Sequence, residues 1–183
     1  MDRRKIVITA TAVFITLLSF SGLVTGTVGA VCVIPCHPTR SFANEADGVV
    51  KFKSDSSFQE TVARLDAAIK GNLDLKIVAR VDHSANATVS GQELRPTILF
   101  IFGNPRMGTP LMSASQTAAL DLPQKMIVFE DENRFVYVAY NDPAFVARRH
   151  GIAEDHPAVK NASVGLRNLA AAAIRKEGER NGR

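Results

Sequence analysis

Residues 98–102 read Ile-Leu-Phe-Ile-Phe, and residues 103–112 continue as Gly-Asn-Pro-Arg-Met-Gly-Thr-Pro-Leu-Met. An uninterrupted apolar run of this length predicts a buried β-strand. The glycines and prolines that follow it suit a rigid loop at the end of a strand, where binding residues are often found. This strand and its loop therefore predict a binding site, with Asn104, Arg106 and Met107 as candidate ligand-binding residues.

The segments on either side of this run have the lengths and apolar patterns of further strands. We expect strands at residues 49–53, 75–81, 98–102, 125–130 and 134–140. Asp131, Glu132 and Asn133 suit a hairpin turn between the last two, which are therefore antiparallel.

Helix signals alternate with these strands. A capping box of Ser57 and Glu60 opens a helix that ends near Gly71. Residues 84–91 form either a loop or a short helix. Thr109 with Pro110 predicts a helix that runs to about residue 120, and Asp142 with Pro143 predicts another that ends at His150. The order β-α-β-β-α-β-β-α over residues 44–151 predicts an α+β two-layer sandwich of a mostly antiparallel sheet with helices.

A C-terminal helical extension is expected over residues 152–183. Val159, Ala162, Leu166, Leu169 and Ala173 recur at spacings of three and four residues. This stripe is too apolar for a helix that lies free in water. We expect it to dock on the body of the domain or on another subunit.

The first 43 residues have the pattern of a signal peptide or a membrane anchor with a linker. Arg3, Arg4 and Lys5 precede a stretch without charged residues that extends from Ile6 to Thr39. Cleavage would release the protein into the periplasm or the extracellular space. An uncleaved segment would instead anchor it, and this is the only membrane contact that we expect.

The charge balance argues against nucleic-acid binding. The chain has 22 basic and 18 acidic residues, but only 18 and 17 of these follow residue 43. The domain is therefore nearly neutral and lacks the basic surface that nucleic-acid partners require.

The two cysteines lie at the junction with the leader. Cys32 and Cys36 precede His37, but they are separated by three residues, whereas covalent haem attachment usually requires two. A small disulfide loop is the simpler interpretation for an exported protein. Both cysteines precede the domain, so a nucleophilic cysteine enzyme is excluded there.

Several short motifs occur in a fixed order between about Val49 and Gly151. They are Thr61–Leu65, Asp82-His83, Leu94–Thr97, Phe102–Pro105, Gly108–Met112, Asp121–Pro123, Tyr140–Pro143 and Arg149-His150. Together they resemble the bacterial domain-of-unknown-function family numbered 302. The resemblance implies a small α+β protein that is often exported and often forms a homodimer, and it implies no agreed enzyme activity.

A second group of candidate residues lies near the end of the second predicted strand. Asp82 could orient the imidazole of His83, which would then act as a general base or as a ligand for copper or haem. Alternatively, Asp82 caps a short helix and His83 holds the following loop. Arg95, with Arg106, could pair with an anionic ligand. His150 and Met112 are expected to have structural roles, at a helix end and in the core respectively.

These observations predict an exported domain that binds a small ligand or a partner. Haem or metal binding through His83 is one alternative, and an enzyme that uses His83 and Arg95 is another. A site shared by His83, Arg95 and the loop at 103–112 requires a crossover connection through residues 84–95. Without a crossover, the two groups lie at opposite edges of the sheet.

Overall fold

The computed structural model describes residues 42–44 and 48–175. The predicted leader up to residue 41 and the cysteines Cys32 and Cys36 lie outside the described residues. Within the described part of the chain, no helix is both long enough and apolar enough to cross a membrane.

The strands form one antiparallel sheet of six strands, in the order β1-β2-β6-β5-β4-β3. Their bounds are Phe42–Asn44 (β1), Val49–Ser54 (β2), Lys76–Asp82 (β3), Thr97–Gly103 (β4), Gln124–Glu130 (β5) and Val136–Asn141 (β6). The predicted strands are all present, and β1 was not predicted. The α+β sandwich is therefore confirmed.

Strand β4 shows how the apolar run at residues 98–102 is used. Ile98, Phe100 and Phe102 are buried, while Leu99 and Ile101 lie on the opposite face and are only partly buried. This alternation follows from the two-residue period of a strand. One face of β4 therefore forms the centre of the core.

Residues 48–175 also contain five α-helices, and a 3₁₀ turn occupies Gln116–Leu120. The helices are Phe58–Gly71 (α1), His83–Val89 (α2), Pro105–Ala114 (α3), Pro143–Arg149 (α4) and Pro157–Ile174 (α5). The predicted capping box of α1 is present, because the Glu60 amide donates to Ser57 Oγ and the Ser57 amide donates to the Glu60 carboxylate.

Helix α5 packs into the same core as the sheet. Its residues Leu166, Leu169, Ala170 and Ala173 are buried in one cluster with Phe100. The apolar stripe therefore docks on the body of the domain, where it contacts α1, β2 and β6. Burial of each of the larger apolar side chains contributes about 1.5–3 kcal/mol to the stability of the fold.

The helix after the glycine-rich loop differs from the prediction at both ends. It begins at Pro105, not at Pro110, because Asn104 Oδ1 accepts a hydrogen bond from the Arg106 amide at 2.9 Å. Asn104 and Pro105 provide the same cap-and-proline signal as Thr109 and Pro110, five residues earlier. The helix ends at Ala114 because Ser115 adopts an extended conformation.

Candidate functional site

An open groove of about 430 Å³ lies beside the start of α3, where β4 ends. It is bordered by the end of α1, β3, α3, the 3₁₀ turn and α5. Most of the lining side chains are apolar, and they include Leu75, Val78, Phe102, Met107, Leu111, Met112, Leu122, Leu166 and Leu169. A concave, largely apolar site with few polar groups is typical of small-ligand pockets.

The walls of the groove follow from local sequence. A Cβ atom on Gly103 would lie 3.3 Å from Cβ of Pro123, so glycine allows the end of β4 to approach that proline closely. The cap at Asn104 then directs α3 so that Met107 and Leu111, one helical turn apart, both face the groove. The opposite wall is formed by α5.

Helix α5 lines the groove with apolar side chains and also leaves open space in it at one glycine. Gly165 lines the groove beside Leu166, and a Cβ atom on Gly165 would have no heavy atom within 4 Å. The glycine therefore leaves open space that a larger side chain would occupy.

The few polar residues of the groove include Asn72, Lys76 and Asn104. Lys76 is opposite Gly103 in the pairing of β3 with β4, and Asn104 follows that glycine. The Leu75 amide donates to the Asn72 carbonyl at 2.9 Å, which places Asn72 in the turn before Lys76. Asn72, Lys76 and Asn104 are therefore close to one another, and we call this part of the groove the polar end. The other polar residues that line the groove are Thr109 and Gln124.

Residues 105–112, predicted as part of a loop, belong to α3, and the binding site predicted there is found in part. Asn104 and Met107 line the groove, and so does Met112, for which the sequence favoured a place in the core. Arg106 is exposed and is not a lining residue. Its backbone amide is used by the cap of α3.

Of the two arrangements that the sequence left open, the structure has the one in which His83 and Arg95 lie apart from residues 103–112. Strands β3 and β4 are antiparallel, so Asp82 pairs with Ile98 while Lys76 pairs with Gly103. His83 and Arg95 lie at one end of β4 and α3 follows the other end, about 20 Å away at the usual rise per residue. The connection through α2 is a return between neighbouring strands rather than a crossover.

Asp82 has a structural role in its own turn. Its Oδ1 accepts hydrogen bonds from Ser84 Oγ at 2.6 Å and from the Ala85 amide at 2.9 Å. These bonds, that of Ser84 first, lower the pKa of the Asp82 carboxyl because they favour its charged form. Asp82 therefore caps α2, which is one of the two roles that the sequence left open for it.

His83 and Arg95 are exposed. The described structure gives the His83 side chain no hydrogen-bond partner, and Arg95 Nε donates to the Glu130 carbonyl at 3.3 Å. In the described part of the chain, no group of three or more His, Cys, Asp or Glu residues could hold a metal ion. Among the described residues, His83 is therefore not part of a cluster of three or more metal-ligating side chains.

A polar cluster that the sequence did not predict joins two of the quoted motifs. His150 Nε2 lies 2.6 Å from Asp121 Oδ2, and His150 Nδ1 lies 3.0 Å from Thr117 Oγ1. Arg149 also contacts the Asp121 carboxylate, at 3.3 Å. The cluster connects the end of α4 to the 3₁₀ turn, and Leu122, which follows Asp121, lines the groove. Its signal was the pair of motifs Asp121–Pro123 and Arg149-His150.

The family model for the domain of unknown function DUF302 matches residues 50–173. The chain belongs to this family. The match continues beyond Gly151 and includes nearly all of α5, which agrees with the position of that helix in the core.

Curated relatives are found in Brucella. The chain is 42% identical over 105 residues to proteins named fluoride-specific ion channel FluC 1 from Brucella suis and Brucella abortus. The matched region is 57% of this chain, but only 41% and 38% of those two proteins. The chain therefore spans about two fifths of the length of these relatives, and the channel name describes them as whole proteins.

A solved structure has the same fold. It is the crystal structure of an uncharacterized conserved protein DUF302 from Bacillus stearothermophilus, with a TM-score of 0.55 and 16% sequence identity. The similarity covers 69% of this chain and 95% of that one. At this identity it shows the shared fold alone.

Proposed function

We propose that this protein is an exported binding domain that holds a small, mainly apolar ligand in the groove beside α3. The observation that supports this most strongly is the open groove of about 430 Å³ with its largely hydrocarbon lining. Its volume falls within the range of small-ligand pockets. A ligand that covers this surface gains about 0.8 kcal/mol for each methylene group it buries.

The chemistry of the lining favours binding over catalysis. The residues that line the groove include no acid, histidine or cysteine, and these side chains supply most general acids, bases and nucleophiles. Met107 and Met112 add flexible thioether side chains, which adapt their shape to different apolar ligands. An enzyme that uses His83 and Arg95 has no support from this groove.

The exposure of Val78 also supports a binding role. Val78 lies in β3, one of the two edge strands of the sheet, and lines the groove with 63% of its surface exposed. At this position the regular pairing with β4 is interrupted between Ile77 and Ala79. An apolar side chain at the border of an apolar groove provides surface that a ligand would cover.

Export remains part of the proposal and depends on the sequence of residues 1–43. The basic cluster and the uncharged stretch after it support a cleaved signal peptide or an anchor. N-terminal sequencing of the protein from the cell envelope and the culture medium tests this. A full-length chain recovered only from the cytoplasm would contradict it.

The exposed face of the sheet supports the proposal that the protein forms a homodimer. Leu99, Ile101, Ile127 and Phe129 are partly exposed on the face opposite the core. Antiparallel sheets with one face in water usually carry polar side chains there. Light scattering of the purified protein should give twice the mass of the chain, and Ile127→Lys should reduce it to one chain. A wild-type monomer would contradict the proposal.

A substitution that fills the groove tests ligand binding. Gly165→Leu places a side chain in the open space of the groove, whereas Gly71→Leu places one at the exposed end of α1, also without a clash. Removing a helix glycine should stabilise α5 by about 0.5–1 kcal/mol, so Gly165→Leu should fold.

Nile red, a neutral apolar dye that fluoresces in apolar sites, provides the measurement. We expect the wild-type protein and Gly71→Leu to increase its fluorescence equally and Gly165→Leu to do so much less. Equal fluorescence with all three proteins would show that the groove is not the binding site.

A further inference from the structure

Each of the three residues at the polar end of the groove offers hydrogen-bond donors. Asn72 Oδ1 already accepts from the Asp74 amide at 3.1 Å, and Asn104 Oδ1 accepts from the Arg106 amide at 2.9 Å. The side-chain NH₂ groups of the two asparagines therefore remain for a ligand. Lys76 adds an ammonium group, which has three donors and no acceptor.

Lys76 also determines which sign of charge a ligand can carry at the polar end. It is the charged residue among those that line the groove, and the described part of the chain gives its ammonium group no ion-pair partner. A ligand with an anionic end would supply that partner, and a cationic end would be repelled.

The polar end lacks the free backbone amides that would bind a phosphate, and this favours a smaller anionic group. A phosphate is usually held by several free backbone amides at a helix N-terminus. At the start of α3, Pro105 has no amide hydrogen, the Arg106 amide is taken by Asn104, and the amides of Met107 and Gly108 donate to the Asn104 carbonyl. One ammonium group with two side-chain amides suits a singly charged carboxylate.

The remainder of the groove requires a hydrocarbon body. Leu75, Met112, Leu122 and Leu166 line it, and few polar groups accompany them. Apolar cavities do not hold ordered water well, because each water molecule needs two to four polar partners. The apolar part of the ligand therefore fills the space beyond the polar end.

We propose that the groove binds an amphipathic monocarboxylate, with its hydrocarbon part against α3 and α5 and its carboxylate at Lys76. This inference rests on the proposed function, because it specifies the ligand class of the same groove. The carboxylate oxygens accept hydrogen bonds from Lys76 Nζ and from the amides of Asn72 and Asn104. An alcohol of the same chain length fills the same space but leaves the ammonium group unpaired.

Calorimetric titrations with decanoate and decan-1-ol, both below their aggregation limits, test this with the full chain purified without detergent. Wild-type protein should bind decanoate about tenfold more tightly than the alcohol, the effect of about one charge-assisted hydrogen bond. Lys76→Gln should remove this preference, chiefly by weakening the binding of decanoate. Lys76→Arg should retain most of it.

Lys160→Gln is the matched control, because it removes the same charge from an exposed position that does not line the groove. It should leave the preference unchanged. Equal affinity of the wild-type protein for the two ligands, or a preference that survives Lys76→Gln, would overturn the assignment of the ligand class. The groove proposal fails separately, if Gly165→Leu does not weaken binding of either ligand.

Discussion

His150 Nε2 lies 2.6 Å from Asp121 Oδ2, and this contact joins the end of α4 to the residue that precedes the groove-lining Leu122. The side chains of His150 and Asp121 are only 4% and 12% exposed. Removal of either side chain leaves the remaining one without this hydrogen bond in a buried position. The pair therefore stabilises the segment that forms one wall of the groove.

Asp121→Ala should consequently lower the free energy of unfolding by about 1–3 kcal/mol, because His150 loses its partner. Arg149→Ala is the control, since this arginine contacts the same carboxylate at 3.3 Å but is 57% exposed. Exposed pairs contribute about 0.2–1 kcal/mol. Urea unfolding measures both variants. An Asp121→Ala effect no larger than that of Arg149→Ala would contradict a stabilising role for the buried contact.

Leu166→Glu should detach or unfold α5. Leu166 is 3% exposed in the core, and a carboxylate there would be buried without a partner. We expect a loss of about 3 kcal/mol or more. Val164→Glu, two residues away and 60% exposed, should change stability by less than about 0.5 kcal/mol. Limited proteolysis should cleave within α5 only in Leu166→Glu, and equal protection of the two variants would contradict the observed packing.

Asn104→Ala should destabilise the start of α3 by about 1 kcal/mol, the usual effect of removing a helix N-cap. Thr109→Ala should have little effect, because Thr109 is exposed within the helix and does not cap it. Thermal unfolding of the two variants distinguishes the observed N-terminus from the one that the sequence favoured. A larger loss for Thr109→Ala would show that α3 begins at Pro110.

The hydrogen bonds of Asp82 predict an acid-sensitive contribution to stability. Its pKa in the folded protein is below the ordinary value of 3.8, so its contribution is present above that value and is lost as the pH falls through the lower, folded pKa. When the pH is lowered below about 3.8, the free energy of unfolding of Asp82→Asn should therefore fall less than that of the wild type. Ser84→Ala should raise the Asp82 pKa, which NMR titration measures. An unchanged pKa in Ser84→Ala would contradict the assigned cause.

The fold was largely predictable because its signals are local. The alternation in β4 depends on the run at 98–102, and the capping box of α1 depends on Ser57 and Glu60. The start of α3 was not predictable in this way. Asn104 with Pro105 and Thr109 with Pro110 present equivalent capping chemistry, and only the path of the chain after β4 selects the first.

The candidate site was predictable only where it lies on one segment. Asn104 and Met107 belong to the loop that the sequence singled out. Lys76 reaches the groove through the register of β3 with β4, and Leu166 through the packing of α5. Neither relationship is contained in local sequence. The same register separates His83 from the loop.

The most direct test of the binding groove is an NMR titration of the ¹⁵N-labelled full chain with decanoate. We expect the backbone amides of Gly103, Gly108 and Gly165 to shift together and to saturate at one ligand concentration, because all three residues line the groove. The amide of Gly91, which lies after α2 outside the groove, should not move. Shifts confined to Gly91 and the region of His83, or no saturable shift at the three groove glycines, would contradict the account.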